Sequence, residues 1–113
     1  MLRAFYHSAF WDDVSVAATF LESRRPGYFA KFSLAVEAAI ETACERPESF
    51  RKQFDDVRRV LVSRFRYVVL FEIWPDAVYF YGVQHGMRDL EAWLALRQGA
   101  SAGSQRGRTP EEE

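Results

Sequence analysis

The sequence predicts an α+β domain: an N-terminal helical hairpin packed on a small antiparallel sheet, closed by a short C-terminal helix. Two apolar stripes of helical period stand on either side of Arg24-Arg25-Pro26-Gly27. Runs rich in β-branched and aromatic residues follow between Val57 and Gln84. A polar corner of His85, Arg88 and Asp89 then opens a last amphipathic stripe around Trp93.

In chain order, Phe5-Tyr6-His7 is a short candidate strand, with Ser8 placed to cap the helix after it. Phe10, Val14, Ala17, Ala18 and Leu21 form the apolar stripe of that helix. Asp12 and Asp13 fall in its first turn, where the helix dipole favours negative charge. Pro26-Gly27 ends it. Tyr28, Phe32, Ala35, Val36, Ala39 and Ala43 then repeat the period until Pro47. A connection of about four residues folds two helices back on each other. Each helix has a single apolar stripe, so the pair needs a sheet to cover.

Val57 to Val62 is the first strand of that sheet. In the next, Phe65, Tyr67, Val69, Phe71 and Ile73 share one face, while Val68, Leu70 and Trp74 share the other. Both faces are apolar, so both are expected to be covered at least in part. Pro75-Asp76 is turn chemistry, and Val78 to Gln84 is the return strand. Asp89 caps a helix from Leu90 to Arg97, with Leu90, Trp93 and Leu94 on one side. From Gln98 onward Gly, Ser, Arg and Glu dominate, so residues 98–113 are expected to be a disordered polar tail on a single domain, 1–97. The predicted order is β-α-α-β-β-β-α.

A chain of 113 residues, half of them hydrophobic and ten of them Phe, can build one packed core and not two. No apolar run approaches the roughly 20 residues of a membrane span, and no secretory signal is visible. The lone Cys44 has no partner for an internal disulfide, which makes the cytoplasm the expected location and burial the expected role of the thiol. Two His and one Cys give no metal-ligand spacing, and neither a phosphate loop nor a nucleophile elbow occurs, so no metal or cofactor is expected. Arg106 and Arg108 against Glu111, Glu112 and Glu113 leave the first 97 residues with 13 basic and 13 acidic side chains. That balance argues against broad electrostatic capture of nucleic acid, and no direct binding of duplex DNA is expected. It is uneven, however: Arg51, Lys52, Arg58, Arg59, Arg64 and Arg66 face only Asp55 and Asp56 between positions 51 and 66. Such a run is either a local positive field or a solvated face.

Three pieces of this chain, in their order and spacing, resemble the RelE/ParE superfamily of bacterial toxins from type II toxin–antitoxin pairs, over residues 3–97. Pro47 followed by Phe50 closes the helical hairpin as in that family. Arg58-Arg59 followed by Arg64-Phe65-Arg66-Tyr67-Val68-Val69 is similar to its Arg-rich strand leading into Phe-Pro-Tyr, with Arg66 in place of the proline. Val83-Gln84-His85-Gly86-Met87-Arg88-Asp89 resembles the Val-Leu-His-Gly-Arg-Arg-Asp ending of the ParE side. The resemblance implies the fold above and a cognate antitoxin whose C-terminal segment wraps the toxin as helix and strand. On the ParE side it implies inhibition of DNA gyrase by protein–protein contact, without catalysis. On the RelE side it implies ribosome-dependent cleavage of mRNA. A non-toxic relative kept as a binding module is the third reading.

For cleavage, the candidate catalytic residues are Arg59, Arg64, Arg66, His85 and Arg88. Imidazole suits proton transfer in attack by an RNA 2′-hydroxyl, and Arg suits a phosphorane-like transition state. Against this, His85 at a strand end can simply bond a backbone group or Asp89, and Arg88 can pair with Asp89 or Glu91. The last helix carries no Tyr, and Lys31 and Lys52 are the only lysines, so the RelE-type nuclease set is incomplete. The candidate partner-binding residues are Arg64, Tyr67, Tyr79, Tyr81, His85, Arg88 and Trp93. Tyr79 and Tyr81 alternate with Val78 and Phe80, so one of these faces is expected outward, where an aromatic row would mark an interface. Trp93, Trp11 and Trp74 also carry the plainer reading of core packing.

Overall fold

The computed structural model describes residues 1–100. Its elements are β1 (Arg3–Tyr6), α1 (Phe10–Arg24), α2 (Tyr28–Glu45), β2 (Lys52–Phe54), β3 (Val57–Val62), β4 (Tyr67–Trp74), β5 (Ala77–His85) and α3 (Leu90–Ala100). They form an α+β fold with three helices and one five-stranded sheet in the order β1-β5-β4-β3-β2. The sheet is mixed rather than antiparallel: β1 lies parallel to β5, with Phe5 opposite Tyr79, while every other pairing is antiparallel. A strand this short carries alternation but nothing that fixes its direction, and the N-terminal segment simply occupies the free edge of β5.

The expected faces of β4 hold. Val69 and Phe71 join Phe10, Phe32, Val36 and Phe80 in one core beneath α1 and α2, with Tyr67 and Ile73 packed against it. Val68 and Leu70 join Val57, Tyr79, Tyr81, Leu90, Trp93 and Leu94 in a second core beneath α3. The sheet is thus the middle of three layers. Tyr79 and Tyr81 therefore do not form an outward row: they are 3% and 9% exposed, because α3 covers their face. Trp93 and Cys44 are buried, whereas Trp11 stands 47% exposed and Trp74 is half-buried at its core's margin.

Local chemistry sets the element ends. Ala9, not Ser8, precedes α1, and its N–H donates to Nδ1 of the buried His7 at 3.0 Å. Glu22 accepts the N–H groups of Gly27 and Phe29, closing the α1–α2 turn, and Gly27 takes the left-handed φ of 94° that this turn requires. Pro47 opens a 3₁₀ turn, Pro47–Ser49, that leads into β2, an edge strand the periodicity does not announce. Asp89 Oδ1 accepts the Ala92 N–H at 3.1 Å, the expected cap of α3. α3 continues three residues past Arg97 to Ala100; the remainder of the expected tail, 101–113, lies outside the described residues.

Candidate functional site

β1 has four residues and β5 has nine, so β5 outruns its parallel neighbour. The last pairing between them is Tyr6 with Phe80, so among the described residues no strand lies beside the Tyr81–His85 edge on that side. Side chains meet part of that edge. Asp13 Oδ2 accepts the Val83 N–H at 3.1 Å, and the Arg97 guanidinium donates to the Tyr81 carbonyl at 2.8 Å. The two side chains also pair with each other, at 3.0 Å through both guanidinium nitrogens. This clasp joins α1 to α3 around the margin of the sheet. It runs over Gly82, where a Cβ would lie 2.6 Å from the Trp93 ring, so only glycine fits beneath it. Tyr81 is the extra residue of a bulge in the β4–β5 ladder, between the Leu70–Gly82 and Phe71–Phe80 pairs.

Beyond the clasp the edge opens into a groove of about 410 Å³. Val16 and Phe20 of α1 wall one side, at 71% and 50% exposure. Tyr67, Gln84, His85 and Arg88 wall the other. Burial pushes the Tyr67 phenol above its ordinary pKa. The His85 ring stands edge-on to Tyr67 at 5.3 Å, and its Nδ1 accepts the Met87 N–H at 3.1 Å. Arg88 donates to Gln84 Oε1 at 2.9 Å. It pairs with neither Asp89, which caps α3, nor Glu91, which lines a different groove on the opposite side of the sheet. Gly86 holds the corner close: its N–H donates to the Arg66 carbonyl at 2.7 Å.

Of the candidate residues, then, Tyr67, His85 and Arg88 come together, with Arg66 adjacent through its backbone. The remaining arginines do not converge on them. Arg58 and Arg59 alternate to opposite faces of β3, and Arg58 donates to the Phe50 carbonyl at 2.7 Å. Arg64 sits in the β3–β4 turn and lines a separate recess with Lys31. Tyr79, Tyr81 and Trp93 are interior. Among the described residues no group of three His, Cys, Asp or Glu side chains could hold a metal ion, and no helix is long and apolar enough to cross a membrane.

The clasp residues Asp13 and Arg97, and His7 beside them, were not singled out by the sequence. Asp13 reads equally well as a helix-dipole residue, and nothing local ties it to a position 84 residues away. Within the groove, the exposed Val16 and Phe20 interrupt the polar side of α1, and that was the one legible signal of an apolar wall. No protein-family model and no curated protein sequence matches this chain.

Proposed function

We propose that this protein is a ParE-like toxin of a type II toxin–antitoxin pair, acting on DNA gyrase by protein–protein contact and neutralised by a cognate antitoxin. The observation that carries the reading is the groove beside the open end of β5. An apolar helix flank, a strand edge and a polar corner together suit a peptide segment, which can add backbone hydrogen bonds to the edge and lodge side chains against Val16 and Phe20. The resemblance from Val83 to Asp89 falls on the same corner. His85 and Arg88 are held by Met87 and Gln84, and β3 sends its arginines to both faces, an arrangement that suits recognition better than concerted proton transfer. The alternative, a RelE-like mRNA endonuclease, draws on the Tyr67–His85–Arg88 neighbourhood, with Arg66 adjoining it.

Paired incorporation of labelled thymidine and labelled methionine, within minutes of inducing the gene in bacteria, separates the two. The expected outcome is an early fall in thymidine with methionine intact. Methionine falling first would replace gyrase by the ribosome as target, and His85→Ala would then abolish killing. If neither falls, the toxin reading fails and a non-toxic binding module stands in its place.

A further inference from the structure

A second surface, formed by residues other than that groove, lies where the α1–α2 turn meets the β3–β4 turn. We infer that this end of the molecule binds an unpaired nucleotide of single-stranded nucleic acid, stacking the base and pairing its phosphates with Lys31 and Arg64.

The recess there has a volume of about 320 Å³ and is lined by Tyr28, Lys31, Leu34, Ala35, Ser63, Arg64 and Phe65. Its apolar and aromatic part is built from Tyr28 and Phe65, whose rings meet edge-on at 5.6 Å, and from Leu34, 66% exposed. Its rim is cationic. Arg64 and Arg66 flank Phe65 with φ of 73° and 58°, a left-handed conformation that is strained in any residue but glycine. The strained turn sets Phe65 against Phe32 at 5.2 Å and leaves both arginines exposed. Arg25 and Lys31 both lie over the Tyr28 ring, at 5.5 and 5.8 Å.

Among the described residues, no carboxylate forms an ion pair with any of these cations. The acid that reaches the α1–α2 turn is Glu22, from the last turn of α1, and it is bound to the backbone N–H groups of Phe29 and Gly27, which hold its pKa below the usual carboxylate value. The charge of the rim is therefore left for a partner. Cations alone would suit any polyanion. Cations around an aromatic recess select a ligand that has both phosphates and flat apolar faces, the combination on which single-strand binding rests. A duplex hides its base faces in the stack, and an acidic peptide without aromatic residues has none to offer.

The test is fluorescence anisotropy of a labelled single-stranded oligonucleotide of about 12 nucleotides, titrated with the full chain at several salt concentrations. Saturable binding is expected. Lys31→Glu with Arg64→Glu should weaken it by roughly tenfold or more and flatten the slope of log affinity against log salt by about 1.4, two phosphates at about 0.7 each. Arg46→Glu, just past the far end of α2 and about 22 Å from Lys31 along the helix, should change neither quantity. Should the double variant fail to melt cooperatively, Lys31→Ala takes its place, with a slope change of about 0.7. The inference is overturned if the full chain does not bind the oligonucleotide saturably. It is overturned equally if Arg46→Glu weakens binding as much as the rim variants do, or if a duplex or an oligoglutamate peptide binds as tightly.

Discussion

His7 is the buried histidine of the domain, and its surroundings disfavour a second proton. Burial is the largest influence lowering its pKa, the neighbouring Arg97 guanidinium adds to the effect, and Asp13 opposes it. The neutral ring is also the form that can accept the Ala9 N–H at the start of α1. Because the folded value is depressed, the stability contributed by neutral His7 is complete above the unfolded value near 6.5 and is lost as pH falls through the folded value. Urea midpoints at pH 7.5 and 5.0 should therefore differ more for the wild type than for His7→Asn, whose amide oxygen can replace Nδ1 as the acceptor. Equal differences in the two proteins would remove His7 as the origin. At this scale the sequence was informative where neighbours decide the outcome: Asp89 caps α3 and Cys44 is buried. It failed where several local partners compete, as for Arg88, drawn to Gln84, and for Trp11, whose ring leans on Tyr6 at 5.2 Å yet stays 47% exposed.

Among the elements, periodicity was a good guide to α1, α2 and β3–β5, because each has enough residues to repeat its pattern. β2 has three and lies at an edge, so its pairing with β3 shows only once the fold brings them together. Tyr79 and Tyr81 were misassigned for a related reason. Alternation marks two faces but does not say how far a later helix reaches, and α3 reaches over both. That helix rests on one large anchor, Trp93, whose ring also receives Arg97 at 4.6 Å. Trp93→Ala should cost about 3–5 kcal/mol by analogy with large buried aromatics. Amide exchange should show the loss concentrated in α3 and the second core, with α1 and α2 still protected. Protection lost evenly throughout would mean that the two cores melt as one unit.

For the whole molecule, a net charge of −1 conceals an uneven distribution. Lys31 and Arg64 share one recess, while Asp55, Asp56, Glu72 and Glu91 line a groove beneath α3. Totals taken along the chain cannot reveal this, because Lys31 of α2 and Arg64 of the β3–β4 turn lie far apart in sequence. The same separation gives the Asp13–Arg97 clasp its kinetic character. It joins positions 84 apart, so closing it costs more chain entropy than a local contact, and it is expected to form late in folding. Both side chains are largely buried, and removing one partner of such a pair costs about 3–5 kcal/mol. A contact absent from the folding transition state places that cost on the unfolding rate. Arg97→Ala should therefore accelerate unfolding by orders of magnitude while refolding keeps nearly its original speed; a matching slowdown in refolding would show the clasp closing early. The last contact to close is then the one that sets how long the native protein survives between openings.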